Sequence, residues 1–168
     1  MADTAKRHIR VRAAGVADVE DILLMIRELA EYEREPDAAT ATFEQLRTAL
    51  FGSSPLVHCI IGEVDGVVAG FALWFTSFST WQGRHGMYLE DLFVRPESRG
   101  HGLGKLLLAE LAREALRRDY GRLEWSVLDW NELAIGFYTS IAAVPLSEWT
   151  KYRLTDQALT ALSRTNLE

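Results

Sequence analysis

Cysteine is nearly absent: Cys59 is the single one in 168 residues. One thiol excludes an intrachain disulfide framework and a cysteine-based zinc cluster, and nothing in the chain asks for an oxidising compartment. Long apolar runs are missing as well. No stretch approaches the ~18 residues of a membrane helix, and Met1 to Val11 carries charge without an apolar leader core. Basic charge is in deficit, with 18 Lys and Arg against 24 Asp and Glu, a net charge of −6. That is the wrong sign for following a nucleic-acid backbone, and it favours small cationic guests. His58, His85 and His101 lack metal-ligand spacing, so no metal site is expected. The expectation is a cytoplasmic protein with neither nucleic acid nor membrane as partner.

What is present suits one folded domain over 1–168. The chain is 48% hydrophobic and 25% charged, which leaves ample apolar material for a core and excludes disorder. His8 to Arg12 alternates as a strand. From Asp18 to Glu33 the residues Val19, Ile22, Leu23, Ile26, Leu29 and Ala30 fall at helical spacing. Thr42, with Gln45 three positions on, can cap a second helix running to about Leu50. Val57 to Val64 and Val67 to Phe78 are β-branched and aromatic runs joined by Asp65-Gly66, a hairpin-turn pair. A polar stretch, Ser79 to Gly86, leads to a strand from Met87 to Val94. Glycines then open a helix from Leu103 to Arg118. Leu123, Trp125 and Val127 alternate as a strand, Asn131 can cap a helix carrying Phe137 and Tyr138, Trp149 to Leu154 reads as a last strand, and Thr155 or Asp156 can cap a short helix. The order predicts an α/β fold, a mixed and mostly antiparallel sheet with helices on both faces.

Arg99-Gly100-His101-Gly102-Leu103-Gly104 lies between a strand and a helix, where unpaired N–H groups and the helix dipole favour an anion such as phosphate. A Walker loop needs Gly five before Gly104, where Arg99 stands, and Lys105 is followed by Leu106 instead of Ser or Thr. A dinucleotide fingerprint from Gly100 fails at Lys105, and one from Gly102 fails at Leu107. What remains is Arg-x-x-Gly-x-Gly after the strand Glu90-Asp91-Leu92-Phe93-Val94.

This pattern resembles the acyl-coenzyme A loop of the GNAT N-acetyltransferase superfamily. Glu28-Leu29-Ala30-Glu31-Tyr32-Glu33, His58-Cys59, Tyr88-Leu89-Glu90-Asp91, Asp129-Trp130-Asn131 and Phe137-Tyr138 occur in the order found in its spermidine/spermine group, over roughly His8 to Leu154. The resemblance implies acetyl-coenzyme A as cosubstrate, a small primary amine as acceptor and a homodimer. It implies that Arg99, Gly100, His101, Gly102, Leu103, Gly104 and Lys105 hold the pyrophosphate. Leu92, Phe93 and Val94 would line the pantetheine arm, with Asn131, Glu132, Leu133 and Ala134 as further coenzyme contacts. Tyr138 matches the family's proton donor to the thiolate, a role that suits a phenol near pKa 10. Glu90 falls at the amine site, where it could hold the ammonium and relay its proton through water. Tyr32, Glu33, Trp81 and Glu148 are further substrate-binding candidates.

Glu90 and Asp91 are adjacent in a strand, so alternation predicts that they point to opposite faces, and a buried carboxylate needs a partner or a purpose. Ser79-Thr80 stands where polyamine enzymes carry an acidic residue and Pro, which brings the chain closer to the branch acting on thialysine and related amino acids. Thr139-Ser140-Ile141-Ala142-Ala143 replaces the family's basic pair and Gly-Ala. Two other readings stay open: a non-catalytic acyl-coenzyme A binding module and an acetyltransferase of protein termini.

Overall fold

Helical spacing of apolar residues and β-branched runs set the elements that the computed structural model of residues 7–165 contains. The first six residues of the stretch read for a leader lie outside the described residues, as do 166–168. The described chain forms two compact units that meet in sequence between Leu128 and Asp129.

In the first unit the elements are β1 (Ile9–Ala13), α1 (Val19–Tyr32), α2 (Phe43–Phe51), β2 (Val57–Val64), β3 (Val67–Ser79), β4 (Arg84–Val94), α3 (Leu103–Arg117) and β5 (Leu123–Glu124). The five strands lie in chain order in one sheet. All neighbours are antiparallel except β4 and β5, which are parallel. Thr42 and Gln45 form the expected reciprocal cap of α2. Asp65 and Gly66 take positive φ angles of 53° and 81°, which close the β2–β3 hairpin.

Adjacent residues of a strand face opposite sides of a sheet, so β2 feeds two cores. Cys59 and Ile61 pack with Val19, Ile22, Met25, Leu46 and Leu50 of α1 and α2. Gly62 instead faces α3, where a Cβ would come within 2.6 Å of the Leu103 side chain. Helices therefore cover both faces. Burial pushes the Cys59 thiol far above its ordinary range. At the start of α1, both carboxylate oxygens of Asp18 accept from the Arg12 guanidinium at 2.7 Å, and Arg12 Nε donates to Glu63 at 2.7 Å. This network ties β1 and β2 to the helix entrance.

Three strands depart from expectation by more than one residue. β4 begins at Arg84 instead of Met87, because Ser79 to Arg84 close a hairpin and ladder pairing overrides the polar composition of 84–86. The strand expected over Leu123 to Val127 shortens to Leu123–Glu124, since its pairing with β4 ends at Tyr88. Trp149 to Leu154 is not a strand: it has no ladder partner among the described residues, and alternation without a partner makes no sheet.

The second unit holds α4 (Glu132–Ser140) and α5 (Asp156–Ser163). Asn131 caps α4, its side-chain oxygen accepting from the Ala134 N–H at 3.2 Å. Thr155 is the residue preceding α5. Among the described residues no helix is long and apolar enough to cross a membrane.

Candidate active site

The second half of β4 departs from regular pleating. Leu73 of β3 pairs with Asp91, and the next residue, Trp74, pairs with Leu89, so Glu90 is an extra residue without a β3 partner. Such a bulge breaks the alternation that predicted opposite faces for Glu90 and Asp91. Glu90 is exposed, while Asp91 is partly buried on the side of Leu73, the face covered by α1. Burial, then the charges of Glu90 and Glu33, push the Asp91 carboxyl up to about 6. Burial also raises Glu33, the residue that ends α1. No Lys or Arg forms an ion pair with Asp91 among the described residues.

Beyond the bulge, the Arg95 N–H donates to Ala69 of β3 at 2.9 Å. The main-chain groups of Phe93 therefore also face β3, and those of Leu92 and Val94 face the other way. Gly70 of β3 accommodates this, since a Cβ there would meet the Phe93 carbonyl oxygen at 2.6 Å. On the far side β5 has already ended, which leaves Leu92 and Val94 without a neighbouring strand among the described residues. The Val94 carbonyl accepts from Arg99 Nε at 2.8 Å. Phe93 turns its ring into the α1–α2 core.

The chain then makes a tight turn at Pro96–Ser98 and enters α3 through Gly100 and Gly102, with φ of 78° and 88°. Left-handed backbone of this kind suits glycine, and nothing lies within 4 Å of where either Cβ would be. Gly102 is the residue before the helix and brings no capping side chain. The first N–H groups of α3 have no intrahelical acceptor, so they remain directed out of the helix end. No acidic side chain occupies that first turn, and Lys105 and His101 are exposed there. Buried Leu103 seats the helix against Gly62. The free N–H groups and the exposed Lys105 suit a diphosphate in charge.

The first unit thus brings together Tyr32, Glu33, Asp91, Phe93 and Arg99, with the Arg99 guanidinium carbon 5.0 Å from the Tyr32 ring centre. Trp81 is set apart, on the β3–β4 turn, about 20 Å along β4 from Glu90. In the second unit Tyr138 is half-buried on α4 with its ring 5.5 Å from Phe137. Asn131 is occupied as a cap, Glu132 and Leu133 are exposed, Ala134 is half-buried, and Glu148 is exposed beyond α4. Sequence reasoning marked Asp91 as a carboxylate that needs a partner or a purpose, but did not place it among the site residues. Its burial depends on the bulge, and the one available signal was a second carboxylate beside Glu90.

A model of the acetyltransferase (GNAT) family matches residues 20–142. The chain is 37% identical over 166 residues to a thialysine N-epsilon-acetyltransferase of Bos taurus, covering 92% of this chain and 97% of that protein. It is 32% identical over 203 residues to a protein of Arabidopsis thaliana named as an L-ornithine acetyltransferase, covering 94% of this chain and 89% of the other. An integron cassette protein from the mobile metagenome of V. cholerae superposes with a TM-score of 0.78 at 28% identity, over 94% of this chain and 98% of that one.

Proposed function

Since this chain belongs to the GNAT acetyltransferase family and is an enzyme of N-acetyl transfer, we propose that it acetylates the distal amine of a small amino acid from acetyl-coenzyme A. The observation that carries this reading is the uncapped, glycine-lined start of α3 next to the unpaired edge at Leu92 and Val94. Thialysine and ornithine, the substrates in the names of two relatives, are both free amino acids with a terminal amine. That shared chemistry puts them ahead of polyamines. The family match runs through the boundary at Leu128, which supports treating 1–168 as one catalytic domain.

When bound, acetyl-coenzyme A supplies a thioester and a diphosphate handle. The N–H groups from Gly100 to Lys105 would hold the diphosphate, and the helix dipole adds to that attraction. The outward main-chain groups of Leu92 and Val94 would pair with the amide arm. One of these N–H groups would polarise the acyl carbonyl, a form of electrostatic stabilisation aimed at developing negative charge. Asn131 to Ala134 join the coenzyme contacts by motif.

The acceptor arrives as an ammonium ion and must lose a proton before its nitrogen can attack. Glu33, Glu90 and Asp91 would hold the cation, with Tyr32 and Glu148 as further contacts, while Trp81 lies too far along β4 to join them. Asp91, held near 6, is matched to accepting a proton close to neutrality, directly or through the water relay expected of Glu90. Tyr138 would return a proton to the departing thiolate. Cys59 is buried with its thiol pushed upward, which makes it a poor acyl carrier and favours direct attack by the amine. A cytoplasmic homodimer completes the reading, and sedimentation tests the dimer.

The experiment is calorimetric titration with acetyl-coenzyme A, followed by mass-spectrometric product analysis on thialysine, ornithine, spermidine and an N-terminal peptide. Heat of binding and acetylation of the amino acids are expected. Absence of binding at millimolar concentration, or acetylation of the peptide alone, would overturn the proposal.

A further inference from the structure

Arg99 joins two regions that the proposed function uses separately. Its Nε donates to the Val94 carbonyl at 2.8 Å, on the strand edge assigned to the thioester arm. Its guanidinium carbon also lies 5.0 Å from the ring centre of Tyr32 and 5.7 Å from that of Phe93. Tyr32 closes α1 and precedes Glu33, one of the carboxylates assigned to the amine. No carboxylate forms an ion pair with Arg99 among the described residues. Its charge is held by a carbonyl and two aromatic faces, partners that constrain the plane of the guanidinium.

The fold does not need Arg99 to fasten α1 to the end of β4. Arg95 already does so: it pairs with Glu28 of α1 at 3.0 Å and donates to the Val68 carbonyl of β3 at 2.9 Å. That pair ties helix to sheet four residues before Arg99. What Arg99 adds is a link between a main-chain acceptor on the strand edge and an aromatic ring at the helix end.

We propose that Arg99 is a positioning residue that couples the two binding steps. An arm paired along Leu92 and Val94 fixes the strand edge, the Val94 carbonyl holds the guanidinium plane, and the guanidinium holds the Tyr32 ring. Amine binding then no longer bears the cost of ordering that ring and side chain. By reciprocity the amine strengthens coenzyme binding by the same factor. The inference rests on the acetyltransferase reading, and its test separates the two.

The probes are free coenzyme A, which has the diphosphate and amide arm but no acetyl group, and thialysine, ornithine or spermidine as the amine. Calorimetry measures the Kd of each amine with and without saturating coenzyme A, so no turnover occurs. Wild type is expected to bind amine about five-fold more tightly in the complex, the scale of one cation–π contact. In Arg99→Ala the factor falls to about one. Arg99→Lys recovers part of it, because an ammonium keeps the charge but loses the planar fork. Glu28→Gln, which weakens only the Arg95 pair, lowers the melting temperature and keeps the coupling. Wild type binding both ligands with a factor of one, or Arg99→Ala retaining the factor, overturns the coupling and leaves the enzyme reading intact. Wild type binding no coenzyme A, or no amine of the panel, overturns both. If Arg99→Ala does not fold, Arg99→Gln and Arg99→Lys give the same comparison.

Discussion

Asp91 stands opposite Leu73 across β3 and β4, while Glu90, the residue just before it, stands opposite nothing on β3. That one-residue dislocation puts Asp91 on the α1 face and leaves Glu90 exposed. Two adjacent carboxylates thereby come to share an environment without being equivalent.

The first consequence concerns pH. A carboxyl raised on folding binds its proton more tightly in the native state than in the unfolded one. The cost of ionising Asp91 is therefore absent below the ordinary value of 3.8 and complete above about 6. Asp91→Asn should stabilise the apo protein at pH 8 by roughly 2 kcal/mol and by roughly half of that at pH 5, read from urea unfolding. The same variant should weaken amine binding by about tenfold. A variant equally stabilised at both values would show that Asp91 ionises freely.

The helix entrance gives the second. Gly102 sits at φ 88° with open space where a Cβ would be. Gly102→Ala should cost about 1–2 kcal/mol through backbone conformation, with no clash. Coenzyme A affinity should fall about tenfold as the first-turn N–H groups shift. Calorimetry and thermal melts check both, and unchanged affinity would take the cradle away from this loop.

For Tyr138 the expectation is kinetic. Tyr138→Phe should lower kcat by about a hundredfold while the Kd for coenzyme A stays within a factor of about two. Turnover at the wild-type rate would remove its role as acid.

Stability at low pH tests the network at the start of α1. Arg12, with its hydrogen bonds to Asp18 as the largest cause, holds that carboxyl below its usual range. Asp18 therefore contributes stability above pH 3.8, and the contribution disappears as pH falls through its lowered native value. Arg12→Ala should cost about 2 kcal/mol at pH 7, because Asp18 is buried and loses its partner. The gap between variant and wild type should narrow toward pH 3. A constant gap would mean that Arg12 acts by packing alone.

Much of the fold was legible in the residues themselves. α1, α2 and α3 show because a 3.6-residue apolar stripe is local information, as is the Thr42–Gln45 cap and the Asp65-Gly66 turn. The glycine loop showed for the same reason, since its spacing alone excluded two other kinds of phosphate loop. What was not legible depends on partners distant in the chain. β5 is short because β4 leaves it after Tyr88, and Trp149 to Leu154 alternates without a neighbour to pair with. The bulge at Glu90 is a property of β3 and β4 together. The side chain of Arg99 was invisible as a link because its contact with Tyr32 spans more than sixty positions.

Cys59 has a practical consequence. As the chain's single thiol, largely buried between the sheet and the helices α1 and α2, it reacts far faster once that layer parts. Alkylation of the unmodified protein therefore clocks the opening of its interior, without an engineered label. If α1 and the sheet separate as one body, the clock and global unfolding will keep the same time.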